Sequence, residues 1–278
     1  MASQIWIHSI IKEVDDNESM RTHFRFACSM IQNPIVQPLI AHATTQLEWG
    51  TTMFWCYMMT RAIFIDGNWL VAPEMPPTTH PADRRRVDEI VSFLTKDRPL
   101  HIMFNESKHA KASTRDITEA ESQCFTACCA YMFSIAQGGV WGMTRFGTKC
   151  RLWLYYYNDE YLRPFYPSGS SLGEKDEYVN FDDPNLIKSL IYIKNHPIPA
   201  KELKHITCIS PRPATVQLSK EFEEPGVASP QPSEHPPPPT DPVEIPEEFI
   251  LKSNAFLPVP AELILKSQGD VDVQMENE

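Results

Sequence analysis

The stretch "RRRVDEIVSFLTKDRPLHIMFNESK", residues 84–108, contains two apolar runs separated by a short polar segment. The runs Val87–Leu94 and Leu100–Phe104 consist mainly of aliphatic and aromatic residues, which are common in strands. The intervening Thr95–Pro99 has the polar residues and the proline typical of a turn. The stretch therefore predicts a β-hairpin.

Charged residues lie at one end of this predicted hairpin. Asp88 begins the first strand, and Asn105-Glu106-Ser107-Lys108 ends the second. Because the chain reverses between the two strands, Asp88 and Glu106 are expected at the same end. Side-chain alternation along a strand also places Glu106 and Lys108 on the same side of the second strand.

Two carboxylates in this position are suited to a divalent cation. Mg²⁺ accepts one or two carboxylates together with waters and phosphate oxygens, so Asp88 and Glu106 are candidate ligands and the backbone carbonyl of Ser107 is a third. A bound metal polarises a phosphate and lowers the pKa of water. Lys108 would orient that water or offset developing negative charge. The pattern indicates metal-assisted hydrolysis of a phosphodiester.

The acid-x-Lys pattern is a weak signal by itself, and its surroundings make it more specific. It occurs only twice in the chain, at Glu106-Ser107-Lys108 and at Glu202-Leu203-Lys204. Only the first follows a predicted strand, has an upstream acid on the adjacent strand, and precedes a predicted helix. The combination therefore favours the first as the functional one.

The remaining periodicities predict a mixed α/β domain, in which helices and strands alternate. A capping box of Asp116 and Glu119 predicts the start of a long helix with one apolar stripe, which ends at Gly138-Gly139. The other expected elements are a helix over 35–48, two short strands around the Asp66-Gly67 turn within 61–73, a β-hairpin turning at 146–148, and a helix over 183–195.

Two groups of basic residues are candidates for nucleic acid contact. Arg84-Arg85-Arg86 precedes the first strand and suits either phosphate binding, through Arg86 in particular, or simple solvation. Lys149, Arg151 and Trp153 are spaced two residues apart and therefore share one face of a predicted strand. This face is suited to base stacking and phosphate contact, or alternatively to packing under a helix.

The distribution of charge separates a body from a tail. Residues 1–205 have a net charge of −2, whereas residues 206–278 have a net charge of −9 and contain 13 of the 25 prolines. We expect 210–247 to be disordered or extended, because proline lacks a backbone donor. Two similar phrases follow, "EFILKSN" at 248–254 and "ELILKSQ" at 262–268. They are either a chance resemblance or short motifs that dock on a partner or on the body.

Composition also excludes some classes of protein. No apolar run approaches the eighteen residues that would cross a bilayer, and the first residues lack the pattern of a signal peptide. The cysteines are odd in number and scattered, which indicates reduced thiols and a cytoplasmic or nuclear location rather than secretion. They are Cys28, Cys56, Cys124, Cys128, Cys129, Cys150 and Cys208.

Several phrases of this sequence together resemble the PD-(D/E)XK nuclease superfamily. They are "VDEIV", "LHIMFNESK", a helix that contains Gln123, and "GTKCRLW" at 147–153. The last is similar to a phrase that follows the helix in fungal PD-(D/E)XK nuclease-like domains. The resemblance covers residues 35–200 and is strongest over 84–157. It implies a restriction-endonuclease-like core, in which a central mixed β-sheet is flanked by helices.

The resemblance also implies a role for each matching residue. Asp88 and Glu106 correspond to the two metal-binding acids, Lys108 to the lysine, and Gln123 to a glutamine on the helix. These four residues are therefore the catalytic candidates, and Mg²⁺ or Mn²⁺ is the implied cofactor.

Other positions of the family pattern have less distinct counterparts. Many members have a Glu on the first helix, for which Glu48 is the candidate here, followed by Glu74. Val87 stands where the family name has a proline. Glu121 lies at the opposite edge of the helix stripe from Gln123 and is an alternative to it.

Two functions are consistent with these observations. The first is a metal-dependent nuclease that hydrolyses DNA or RNA. The second is a catalytically inactive module with the same fold, which acts through nucleic acid or through protein partners captured by the tail. Many members of the family have lost activity, and a fold alone does not establish cleavage.

Overall fold

A computed structural model describes residues 2–45, 47–78, 80, 83–135, 137–214 and 216, and of residues 2–5 only the backbone. The described residues form a mixed sheet with helices on both faces. The helices are α1 (Ala2–Asp16), α2 (Glu18–Gln32), α3 (Gln37–Thr45), α4 (Glu48–Met58), α5 (Thr114–Ser134) and α6 (Pro184–Asn195). The strands are β1 (Trp69–Met75), β2 (Val87–Leu94), β3 (Pro99–Lys108), β4 (Val140–Phe146), β5 (Lys149–Tyr155), β6 (Arg163–Tyr166) and β7 (Val179–Asn180).

The strand order confirms the predicted mixed α/β architecture. The path through the sheet is β1-β2-β3-β4-β5-β6, and β7 pairs with β5 as the seventh strand. Strands β3 and β4 are parallel, with α5 as their connection, and the other pairs are antiparallel. Parallel neighbours require such a crossover, whereas antiparallel neighbours need only a turn.

The predicted hairpin of β2 and β3 is present. Thr95 and Arg98 close its turn, since the Thr95 hydroxyl donates to the Arg98 carbonyl at 2.6 Å. The register pairs Glu89 with Asn105, and a bulge shifts it between Val91 and Ser92. Strand β3 continues to Lys108, so the charged tetrapeptide lies within the strand and its backbone is held by the sheet.

Helix α5 begins earlier than the sequence predicted. Ser113 is the N-cap, and its side chain accepts from the Asp116 amide while the Asp116 carboxylate accepts from the Ser113 amide at 2.7 Å. The capping box therefore uses Asp116 as its third helical residue, not as its cap. Glu119, the expected partner in that box, instead faces Lys108. The helix ends at Ser134, before the two glycines expected to end it.

Two predicted elements in the first third of the chain differ from the structure in detail. The helix expected over 35–48 is present as α3 but is shorter, because Leu47 has an extended backbone and Glu48 already begins α4. The strand expected before the Asp66-Gly67 turn is helical, since Met59–Ile63 continues α4 as a π-helix with a buried side. The strand after the turn is present as β1.

The second hairpin and the last helix are as predicted. Strands β4 and β5 turn at Gly147, whose φ of 55° suits glycine. Helix α4 packs against this turn, because Trp55 Nε1 donates to the Gly147 carbonyl at 3.0 Å and the Gly147 amide donates to Thr51 Oγ1 at 2.9 Å. Helix α6 starts at Pro184, behind an Asp183 cap.

The sheet separates two hydrophobic cores. One face packs against the N-terminal helices and α6, through residues such as Trp55, Met103 and Leu152. The other face packs against α5, through residues such as Phe104 and Trp153. Side chains at successive strand positions therefore enter different cores.

The chain after residue 205 continues along the body. The Ile209 amide donates to the Leu162 carbonyl at 3.1 Å, and Val216 is buried in the core on the α5 side. The rest of the predicted tail, including most of the 210–247 segment and both ILKS phrases, lies outside the described residues. Within the described ranges, no helix combines the length and apolar character needed to cross a membrane.

The close approach of α5 to β4 gives a packing prediction. A Cβ added at Gly142 would lie 2.7 Å from Cys124 Sγ and 3.4 Å from Trp153 Cβ. We expect Gly142→Ala to lower the free energy of unfolding by about 1–3 kcal/mol through overpacking, measured by urea denaturation. Removing the sulfur in the double variant with Cys124→Ala should recover part of the loss. Gly67→Ala, which meets no described atom within 4 Å, is the control, and an equal loss there would contradict the packing explanation.

Candidate metal and catalytic site

The structure brings Asp88 and Glu106 together at one end of the hairpin. Since Glu89 pairs with Asn105, Asp88 lies opposite Glu106 in the same register. The Ser107 amide donates to Asp88 Oδ2 at 2.6 Å, so this carboxylate is fixed against β3. The two acids project from the α5 side of the sheet, the side on which Ile90 and Phe104 enter the core.

Glu106 is the more buried of the two acids, with a relative exposure of 4%. Burial raises its pKa well above the usual range, and the charge of Asp88 raises it further. The charges of Lys108 and Arg145 act in the opposite direction. Two carboxyl groups that repel each other therefore lie close together, and nearby positive charges stabilise the ionised form of Glu106.

Lys108 and Gln123 meet at a residue that sequence reasoning missed. Lys108 Nζ lies 3.9 Å from Glu119 Oε1, and Gln123 Nε2 donates to the same oxygen at 3.4 Å. Glu119 thus joins the end of β3 to the exposed side of α5. The sequence signal for this role of Glu119 was its four-residue spacing from Gln123, which places both side chains on one face of a helix.

Glu48 belongs to the same electrostatic group. It occupies the first position of α4, whose inner face is anchored on the turn between β4 and β5. Burial raises the pKa of Glu48, and among charged neighbours Lys108 lowers it most while Asp88 raises it. The structure therefore brings Glu48 near the hairpin acids. Glu74 lies elsewhere, on β1, where it is exposed and has a φ of 51°.

A cleft of ≈ 290 Å³ is lined by Glu106 together with residues from three other parts of the chain. Arg85 and Arg86 come from the segment before β2, Gln123 comes from α5, and Val216 comes from the C-terminal segment. Glu106 thus faces an accessible space with a basic wall, and Gln123 lines the same space.

Two of the basic candidates are accessible to different degrees. Arg86 is exposed on the cleft, and its Nη1 donates to the Arg85 carbonyl at 2.8 Å. Lys149 is half-buried at the start of β5, opposite Asn180 of β7. Nucleic acid contact by these residues remains a prediction.

The structure corrects the assignment of Arg151 to a nucleic acid surface. Its side chain is 0% exposed, and the guanidinium donates to the carbonyls of Ser171 at 2.7 Å and Gly169 at 2.6 Å. It also pairs with Glu177 at 2.7 Å and lies 4.2 Å from the centre of the Trp153 ring. Because these contacts are internal, Arg151 fastens the 169–177 loop to the sheet. This face is covered by the loop at Arg151 and by residues of α5 at Trp153.

Glu121, the alternative to Gln123, is committed to a separate buried network. Its carboxylate accepts from Tyr178 Oη at 2.9 Å and from the Gly173 amide at 2.8 Å. Burial raises the pKa of Glu121 to about 7. Glu121 does not line the cleft beside Glu106.

A second charged group, also missed by sequence reasoning, lies on the other face of the same strands. Arg145 Nη1 lies 3.0 Å from Glu89 Oε1, and both side chains are at most 1% exposed. Asn105 Nδ2 donates to the same Glu89 oxygen at 2.7 Å, and Arg145 Nε donates to Ser107 Oγ at 2.7 Å. The signal for this buried group in the sequence was Glu89, a charged residue next to Asp88 within an apolar strand.

The donor set around Asp88 fits a hard divalent cation. The described residues contain no group of three or more His, Cys, Asp or Glu side chains that would hold a metal ion. Mg²⁺ needs only one or two carboxylates, because it retains several waters. The charge of Asp88 raises the pKa of Glu106. A cation between the two groups would offset that repulsion.

Comparisons with known proteins do not assign this chain to a family. No protein-family model, curated protein or solved structure matches it.

The crowding of carboxyl groups predicts that Glu106 lowers stability when no metal is bound. Because the pKa of Glu106 is raised in the folded state, the contribution of its carboxyl group to stability is complete below pH 4.5. That contribution decreases as the pH rises toward the raised value. In EDTA, Glu106→Gln should therefore gain stability relative to wild type, by about 1.4 kcal/mol per pH unit within that window. Urea denaturation between pH 5 and about pH 8 measures the difference.

Asp97→Asn, at the exposed turn of the same hairpin, is the control for this variant and should follow the wild-type pH profile. A Glu106→Gln protein whose stability also follows that profile would show that the carboxyl is solvated like an ordinary surface acid.

Proposed function

We propose that this protein is a Mg²⁺- or Mn²⁺-dependent nuclease that hydrolyses phosphodiester bonds in DNA or RNA, on a restriction-endonuclease-like core. The observation that supports this most directly is the convergence of Asp88 and Glu106, separated in sequence by a hairpin. Asp88 and Lys108 each influence the pKa of both Glu106 and Glu48, and Glu106 borders a cleft. Perturbed carboxyl groups in a cleft are typical of catalytic sites.

Asp88 and Glu106 would hold the metal, with the Ser107 carbonyl and Glu48 as further oxygen donors. When bound, the cation polarises a phosphate oxygen and activates water for attack. Asp88 is oriented for this role by the amide of Ser107. Glu106 has to lose its proton to become a ligand, and the charge of Lys108 favours that loss.

The other side chains of the site are suited to the phosphate and to the attacking water. Lys108 is half-buried and paired only distantly with Glu119, so its ammonium is able to move toward a phosphate and offset developing charge. The Gln123 amide lines the cleft and would orient water through its carbonyl oxygen. Arg86, on the same cleft, would hold a neighbouring phosphate of the strand.

Cleavage assays test this proposal. We expect wild-type protein to cleave plasmid DNA, single-stranded DNA or single-stranded RNA with Mg²⁺ or Mn²⁺, and to lose activity in EDTA. Asp88→Asn and Lys108→Met should each lower the rate by about 100-fold or more, because one removes a ligand charge and the other a charge that stabilises the transition state. Gel assays with labelled substrate measure the rates.

Asp97→Asn is again the matched control, because it removes one carboxylate from the opposite end of the same hairpin. Equal activity in the wild type, Asp88→Asn and Lys108→Met would assign the cleavage to a contaminant and remove the proposal. Absence of cleavage together with retained binding of nucleic acid to the Arg86 cleft would favour the inactive binding module.

A further inference from the structure

The buried group of Arg145, Glu89, Asn105 and Ser107 lies directly behind the candidate site. Glu106 and Lys108 alternate along β3 with Asn105 and Ser107, so the two sets occupy opposite faces of one strand. Asp88 and Glu89 are divided between the faces in the same way. The candidate site thus has a second charged layer beneath it, completely inside the protein.

This layer connects the elements that carry the candidate site. Glu89 is on β2 beside Asp88, and Ser107 is on β3 between Glu106 and Lys108. Cys56, on the same helix as Glu48, interacts with Glu89, since burial and then this carboxylate raise the pKa of Cys56. Arg145, on β4, is the cation of the group and bonds to both β2 and β3.

Ser107 is the point at which the two layers join. Its hydroxyl accepts from Arg145 Nε at 2.7 Å on the buried face. Its backbone amide donates to Asp88 Oδ2 at 2.6 Å on the site face. A displacement of Ser107 therefore moves the donor that orients Asp88, and it also moves the strand between Glu106 and Lys108.

We propose that Arg145 is a positioning residue, which holds Asp88 and Glu106 in metal-binding geometry through Ser107 and Glu89. This inference rests on the proposed function, because it concerns the same metal site. Arg145 does not line the cleft, so it acts from behind the site, through the positions of Ser107 and Glu89 and through the charge that lowers the pKa of Glu106. Residues behind a ligand commonly change metal affinity by 10–100-fold when they are altered.

The group is suited to this role because it has few ways to rearrange. Arg145 forms contacts through two nitrogens to two different strands, and a guanidinium has fixed planar geometry. A buried charge without its partner is strongly destabilising, so Glu89 and Arg145 constrain each other. Strands β2, β3 and β4 are thereby held in one relative position at the level of the site.

The test measures Mn²⁺ affinity by electron paramagnetic resonance, at a temperature at which circular dichroism shows each variant folded. Arg145→Met should weaken Mn²⁺ binding by about tenfold or more. Ser107→Ala, which removes only the hydroxyl acceptor, should weaken it in the same direction. In cleavage assays Arg145→Met should lower kcat and leave KM for the nucleic acid within about twofold, because the cleft is unchanged.

Two further variants separate positioning from stability. Arg151→Met removes the other completely buried arginine, which bonds to the 169–177 loop on the opposite face, and it should leave Mn²⁺ affinity unchanged although it lowers stability. Arg145→Met combined with Glu89→Gln removes the unpaired buried charge and keeps an acceptor for Asn105. It should recover stability relative to Arg145→Met, while Mn²⁺ affinity remains low.

The outcomes are distinguishable from a failure of the proposed function. Wild-type Mn²⁺ affinity in Arg145→Met overturns the inference, whether or not the wild type cleaves nucleic acid. Recovery of full Mn²⁺ affinity in the Arg145→Met/Glu89→Gln double variant also overturns it, because stability alone would then explain the loss. A wild type that binds Mn²⁺ but cleaves no nucleic acid would contradict the proposed nuclease function. Weaker Mn²⁺ binding by Arg145→Met would still support the positioning role of Arg145 in that case. A wild type that binds no Mn²⁺ overturns both.

Discussion

Side-chain alternation along β3 is the constraint on which the rest of this structure depends. Four consecutive polar residues, 105–108, are divided between two environments that the backbone alone determines. Glu106 lines the cleft and Lys108 lies on the same face of the strand, whereas Asn105 and Ser107 face the buried layer of Glu89 and Arg145. A slip of one residue in the pairing of β2 and β3 would exchange the two sets and bury the candidate site.

The two layers of charge differ in how their charges are compensated. On the buried face, Glu89 and Arg145 neutralise each other through direct contact. On the cleft face, Glu106 and Asp88 have like charges and only partial compensation from Lys108. A folded chain rarely retains such repulsion without a reason, since it lowers stability. The uncompensated repulsion is thus on the face that we propose to bind a cation.

The sequence predicted local features well and tertiary ones less well. The hairpin at 84–108 follows from two apolar runs and a turn, which are features of only a few residues each. The position of its acids at one end follows from the same features. The burial of Arg151 was not predictable, because its partners lie about 20 residues away on a loop without regular periodicity. The helical state of 59–63 was also missed, because apolar runs of that length suit strands and buried helices equally.

Strand β1 forms one margin of the sheet and pairs with β2 alone among the described strands. Pro73 lies in its middle and has no amide hydrogen, and the next residue, Glu74, has a left-handed backbone. Together they interrupt the row of donors and acceptors that an extended peptide from another molecule would use. This margin is therefore poorly suited to lengthening the sheet by a strand from another molecule.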